Sequence, residues 1–185
     1  MRYENIIPSI HKLFAYYKSL AEKAIEQVSE EGLHNSCGDG NNSIALIIQH
    51  LTGNMKSRFT NFLTEDGEKP WRNRDAEFEN QTLNRMQLIE LWESGWRTLF
   101  TAIDELKPEN LDTIIYIRNE GHTVLEALHR QLAHYSYHVG QIVLLARKEV
   151  GNNWVSLSIP KNQSEKYNTD KFAKEKALKH FSYEP

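Results

Sequence analysis

Apolar residues recur every three or four positions in four stretches of the chain, which is the spacing of amphipathic helices. The stretches cover about residues 3–30, 44–63, 84–106 and 124–149. Little of the remaining sequence alternates in the way that a strand does. Four long helices with so little strand predict an all-α fold, most simply a four-helix bundle.

Polar residues at the predicted helix starts support these boundaries. Ser43, Asn84 and Thr123 stand where an N-cap is expected, directly before the apolar periodicity begins. Asn84 is followed three positions later by Gln87, and Thr123 by Glu126, which is the capping-box spacing. The fourth helix, which opens at Thr123, has the clearest start in the chain.

The segments between the helices give further predictions. Thr113–Ile117 is β-branched and aromatic and is followed by the turn residues Arg118–Gly121, so we expect a short hairpin before the fourth helix. Residues 64–81 read as a long loop, a type that in small domains is often functional.

We expect one domain over residues 1–185, with the bundle at about 3–150. An irregular C-terminal tail follows at 151–185. Within this tail, Trp154–Pro160 is predicted to be extended and Thr169–His180 to form a polar helix.

Composition narrows the classes of function. Lys and Arg together number 22 and Asp and Glu 25, so the formal net charge is −3 and nothing favours nucleic acid as a partner. The longest apolar runs are too short to span a bilayer, and no signal peptide is evident. The single cysteine, Cys37, permits no internal disulfide. These features predict a cytoplasmic protein with no membrane partner.

Histidines supply the main candidate chemistry. Of eight in the chain, His134 and His138 are four positions apart, which on a helix places both on one face with their Cβ atoms about 5–6 Å apart. Such a pair can chelate a divalent ion, and His50 on the second helix could complete a three-histidine site. The alternative is that these are core histidines hydrogen-bonded to Tyr or to carbonyls. No Glu follows His134, so the HExxH signature of zinc proteases is absent.

Other candidates carry less weight. Cys37 lies in a Gly-rich loop three positions after His34, but a single loop cysteine is usually only a thiol. Arg72 and Arg74 in the loop at 64–81 could bind an anion, although a solvated charge cluster is the more common interpretation.

Several segments resemble known proteins. Ile48–Leu51 and Ala133–Ile142 resemble the DinB/YfiT-like superfamily of metal-binding four-helix bundles. A subgroup of uncharacterised small bacterial proteins within that superfamily is similar at Gly53–Arg58, Asp66–Asp75, Gly121–Ala127 and Ser156–Pro160. The resemblance extends over about residues 5–168.

The resemblance implies a left-handed up-down-down-up bundle, often a homodimer, with a divalent metal bound by His50, His134 and His138. Three imidazoles favour Zn, Ni or Fe over Ca or Mg, and three protein ligands leave a position open for water or substrate. Asn54 and Arg58, one and two turns beyond His50, are candidate substrate-pocket residues. Arg74 is a third such candidate.

Two classes of function follow from the resemblance. Some members of the superfamily are S-transferases for low-molecular-weight thiols and others are described as hydrolases, which implies a metal-dependent transferase or hydrolase here. The alternative is a metal-binding stress or interaction protein without turnover. The homodimer is also expected because Trp92 and Trp96 make the third helix more apolar than one core stripe requires.

Overall fold

Five α-helices and one β-hairpin form the main regular structure of this computed structural model, which describes residues 5–38, 40–79 and 81–181. The helices are α1 (Ile6–Ile25), α2 (Ile44–Phe59), α3 (Arg85–Asp104), α4 (Val124–Val150) and α5 (Ser164–Phe172). The hairpin strands are β1 (Ile114–Ile117) and β2 (Glu120–Thr123). The first two residues of the predicted first helix, 3–4, and the last four of the predicted tail, 182–185, lie outside the described residues.

The predicted helix starts are confirmed by hydrogen bonds at each cap. The Ser43 hydroxyl accepts from the Leu46 backbone N–H at 3.2 Å. At the start of α4, the Thr123 hydroxyl accepts from the backbone N–H of Glu126, whose carboxylate accepts from the N–H of Thr123. The start of α3 has the same reciprocal arrangement, between Asn84 and Gln87. Each bond satisfies a backbone donor that the first helical turn leaves without a partner.

Helices α1 to α4 bury their apolar faces in one core. α1 packs mainly against α4 and α2 against α3, while further contacts join α2 to α4 and α1 to α3. The largest fully buried side chains in the centre are Phe14, Trp92, Trp96 and Tyr135. The contact of α2 with α4 is the one that positions the candidate site.

The predicted hairpin is confirmed and is tied to the loop that follows α2. β1 and β2 pair antiparallel through a two-residue turn, Arg118–Asn119, in which both residues have positive φ, as such turns require. The Asp66 carboxylate accepts from the backbone N–H groups of Arg118 at 2.9 Å and Asn119 at 2.8 Å. The loop at 64–81 is therefore anchored on the hairpin.

Helix ends and the tail differ from the prediction. α1 ends at Ile25 rather than near 30, and α2 ends at Phe59 rather than near 63. The tail helix is α5, Ser164–Phe172, so the prediction of a helix at Thr169–His180 was wrong over most of its length. α5 buries no residue, which means that no apolar stripe in the sequence marks its position.

Trp92 and Trp96 do not supply an exposed surface. Both are fully buried, because α3 packs against both α2 and α1 and needs a wide apolar face. The surplus apolar surface that suggested a dimer is therefore not provided by these two residues. Large exposed apolar side chains on the bundle helices include Tyr137 and Leu144 on α4 and Met86 at the start of α3. Among the described helices, none has both the length and the apolar character needed to cross a membrane.

Candidate metal centre

Three histidines from two helices meet at the contact of α2 with α4. His50 comes from α2, and His134 and His138 come from successive turns of α4. One ring nitrogen from each of the three lies within 4.8 Å of the others. The Nε2 atoms of His50 and His134 are 3.4 Å apart. The i, i+4 spacing thus brings the α4 pair together, and the packing of α2 adds the third ring.

The spacing of these nitrogens is compatible with a bound metal ion. In a tetrahedral site the ligand–ligand distance is about 1.63 times the bond length, which gives about 3.3–3.4 Å for Zn–N bonds of about 2.0–2.1 Å. The 3.4 Å between His50 and His134 matches this value.

Burial keeps two of the rings neutral. Desolvation lowers the pKa of His134 to about 3. Smaller electrostatic contributions act in the same direction and come from His138, His50, Arg58 and Arg72. Desolvation also lowers the pKa of His138 to about 4, although a hydrogen bond with Gln141 acts in the opposite direction. Neutral imidazole is the form that binds a metal, so both rings are ready to act as ligands at neutral pH.

A carboxylate holds the third ring. His50 Nδ1 lies 2.9 Å from Oε2 of Glu77, and because an ionised carboxylate only accepts, the proton is on Nδ1. In the neutral ring Nε2 of His50 is then unprotonated, and it lies 3.4 Å from Nε2 of His134. Arg72 donates to the same carboxylate through Nε at 2.7 Å and Nη2 at 2.9 Å. A histidine backed by a carboxylate in this way is a recurrent feature of metal sites.

Glu77 and the pairing of Arg72 were missed by the sequence analysis. Glu77 lies 27 positions after His50 in the 3₁₀ turn Asp75–Phe78, so no local spacing connects the two. The one available signal was Gly53, because a glycine inside an amphipathic helix often marks a close approach of another group. Such a glycine does not identify the group that approaches. Arg72 is neither solvated nor free for an external anion, since its side chain is 2% exposed and paired with Glu77.

The remaining surroundings of the centre are aromatic and partly open. His138 Nδ1 lies 2.8 Å from Oε1 of Gln141, which leaves Nε2 as its nitrogen available to an ion. The rings of Phe78 and Tyr137 pack on His50 and His138 with centroid distances of 4.8 and 4.2 Å. His134 is only partly buried and Tyr137 is 55% exposed, so the cluster adjoins solvent on the side of α4.

The three candidate pocket residues occupy different environments. Asn54 is buried, and its Oδ1 accepts from the Tyr135 hydroxyl at 2.9 Å. Arg58 is also buried and donates to the Gly67 carbonyl and to Glu68. Arg74 is exposed, with its guanidinium 5.2 Å from the centroid of Phe78, whose ring packs on His50.

The loop cysteine lies in a separate environment. Cys37 is exposed, and its Sγ accepts from Lys148 Nζ at 2.9 Å. The His34 ring lies 2.9 Å from the Leu83 carbonyl through Nε2. No hydrogen bond between Cys37 and His34 occurs among the described residues, which leaves a Cys–His nucleophile without structural support.

Comparison with known proteins identifies a family. Residues 3–163 match the model of a family described as Protein of unknown function (DUF1572). Searches of curated proteins and of solved structures found no match. The matched range includes all three histidines, Glu77 and Arg72, and ends just before α5. Because this range covers most of its length, the chain belongs to the DUF1572 family.

Proposed function

We propose that the protein binds a divalent transition metal through His50, His134 and His138 and acts as a metal-dependent enzyme. The observation that carries the proposal is the convergence of three ring nitrogens within 4.8 Å at the contact of α2 with α4. The donor set supports Zn, Ni or Fe, since neutral imidazoles suit these ions better than Ca or Mg.

The proposed reaction is transfer to or from a low-molecular-weight thiol, or hydrolysis. A bound ion with three protein ligands would lower the pKa of a coordinated water or thiol and so supply a nucleophile at neutral pH. Arg74, exposed beside Phe78, is suited to bind a carboxylate or phosphate of a substrate. We assign Asn54 and Arg58 a supporting role in the wall of the proposed pocket, because Asn54 Oδ1 and Arg58 Nη1 are hydrogen-bonded within the protein.

We also place the family in the DinB/YfiT-like superfamily and assign the chain its left-handed up-down-down-up four-helix bundle. The sequence resemblance and the pairwise packing of α1 with α4 and α2 with α3 support this. A cytoplasmic homodimer is part of the same proposal. The exposed Tyr137 and Leu144 on α4 are better candidates for its interface than the tryptophans of α3.

A second candidate is a metal-binding protein without turnover. The observation that favours it is the burial of His50 and His138, which are 5% and 6% exposed. The partly exposed His134 favours the enzyme, because it leaves the centre a side from which a substrate can approach. Turnover decides between the two candidates.

Metal binding is tested on protein purified without a metal-affinity column. We expect elemental analysis to find close to one equivalent of metal in the wild type and a large loss in His50→Ala, His134→Ala and His138→Ala. His11→Ala and His34→Ala are matched controls and should keep the metal. Their rings lie beside Asp104 and the Leu83 carbonyl. Metal retained at wild-type level in the His50 and His138 variants contradicts the proposed ligands.

Turnover is tested by incubating the Zn, Ni and Fe forms with thiol cofactors and electrophiles, and separately with ester and amide substrates. Activity in the wild type that is absent from His138→Ala supports the enzyme. No turnover above that variant across the screen favours the non-catalytic candidate.

A further inference from the structure

We infer that Glu77 is a positioning residue that, clamped by Arg72, fixes the ring orientation and tautomer of His50. The inference rests on the proposed metal-binding function. Beyond the three ligands, it assigns a role to Glu77. It also assigns a role to the loop at 64–81, which places the Glu77 carboxylate against Nδ1 of His50.

The first support is the chemistry of the hydrogen bond. An imidazole binds a metal through an unprotonated nitrogen, so its proton must be on the other one and needs an acceptor there. Nδ1 of His50 has this acceptor in Oε2 of Glu77 at 2.9 Å, and both side chains are at least nine-tenths buried. Water therefore has little access to compete for this bond, and Nε2 remains directed at His134.

The second support is the clamp on the carboxylate. Arg72 binds Oε1 through Nε at 2.7 Å and Oε2 through Nη2 at 2.9 Å, a fork that fixes the plane of the carboxylate. Both oxygens of Glu77 accept hydrogen bonds from Arg72, so the carboxylate meets Nδ1 of His50 as an acceptor, and the proton of the His50 ring is held on Nδ1.

The third support is the space that α2 leaves for the carboxylate. A Cβ added at Gly53 would lie 2.2 Å from Oε1 and 2.7 Å from Cδ of Glu77. Glycine at this position lets the carboxylate lie against the helix, one turn from His50. His50 and Gly53 of α2 and Arg72 of the loop thus converge on the Glu77 carboxylate.

The test compares Glu77→Gln with Glu68→Gln in protein free of metal. Glu68 lies in the same loop and contacts Arg58, Arg72 and Arg118, so its variant controls for a general loosening of the loop. Zinc affinity is measured by titration against a competing chelator, and the tautomer of His50 is read from ¹⁵N chemical shifts of the apo protein. We expect Glu77→Gln to weaken zinc binding about 10–100-fold and to shift His50 away from pure Nδ1–H. Glu68→Gln should retain wild-type affinity and tautomer.

A second variant guards against a folding defect. Arg72→Lys keeps the charge beside Glu77 but cannot make the fork, and it should weaken zinc binding with Glu77 and His50 chemically intact. Circular dichroism of each variant confirms that it is folded before titration.

Equal zinc affinity in wild type and Glu77→Gln overturns the inference, as does an Nε2–H tautomer of His50 in the wild type. A wild type that binds none of Zn, Ni and Fe instead refutes the proposed function. In that case the Nδ1–H tautomer of wild-type His50, lost in Glu77→Gln, still supports the positioning role.

Discussion

Replacing Gly53 by Ala is the sharpest perturbation of the centre, because it displaces Glu77 without changing any polar group. In an ordinary helix interior this substitution stabilises by about 1 kcal/mol, since Ala has the better helix propensity. Here the new Cβ would lie 2.2 Å from Oε1 of Glu77, well inside ordinary contact at 3.4 Å. The carboxylate must move by more than an ångström, which breaks its hydrogen bond with His50 or one from Arg72.

The expected changes in stability and in zinc affinity follow from this geometry. A hydrogen bond to a charged group contributes about 1.5–3 kcal/mol, so losing one outweighs the gain in helix propensity. We expect Gly53→Ala to lower the free energy of unfolding by about 0.5–2 kcal/mol, which is roughly 1–8 °C in Tm for a chain of this size. Zinc affinity should fall about 10–100-fold, as for the loss of an outer-shell partner.

Gly140→Ala is the matched control. Gly140 is also helical, on α4 two positions from His138, but a Cβ there meets nothing within 4 Å. This variant should be more stable than wild type by about 1 kcal/mol and should bind zinc normally. Thermal unfolding and zinc titration of both variants give the comparison. If Gly53→Ala equals Gly140→Ala in both stability and affinity, the close approach of Glu77 to α2 has no energetic consequence.

Three further predictions concern stability. The folded pKa values of His134, about 3, and His138, about 4, lie below the ordinary value of 6.5, so the unfolded chain binds more protons as pH falls below 6.5. The apo protein should therefore lose stability between pH 6.5 and 4, and a double Asn variant of these residues should show a flatter profile in urea unfolding. Tyr135→Phe leaves the buried Asn54 Oδ1 without its donor and should cost about 1–3 kcal/mol in the same assay. Thr123→Ala removes the N-cap of α4 and should cost about 1 kcal/mol, seen as a Tm lower by roughly 2–4 °C.

The homodimer is checked by light scattering. A dimer gives about twice the 21.6 kDa of one chain, and Leu144→Glu on the exposed face of α4 should shift the mass towards the monomer. A wild-type mass of one chain at micromolar concentration contradicts the dimer.

The features that the sequence predicted well are those set by nearby residues. The caps at Ser43, Asn84 and Thr123 depend on groups within three positions, and all three form. The shared face of His134 and His138 follows in the same way from helix geometry. His50 was placed with them mainly by resemblance, because its proximity depends on how α2 packs against α4.

The features that were missed depend on long-range packing. Glu77 and Arg72 belong to a loop whose path is set by its contacts with α2 and the hairpin, and no spacing within the loop reveals them. Trp92 and Trp96 were interpreted as surplus surface because an apolar stripe does not show how many neighbours cover it. In the structure α3 packs against both α2 and α1, and both indoles are buried.

The Asp66 link between the loop and the hairpin bears on local unfolding. Asp66 accepts from the backbone N–H groups of Glu68, Arg118 and Asn119, so these three amides share one acceptor residue and should exchange with solvent in one cooperative opening. We expect the opening that releases the hairpin turn to loosen also the loop that carries Glu77. An ion bound by His50 should therefore slow hydrogen exchange at the tip of the hairpin, which carries none of the three proposed ligands.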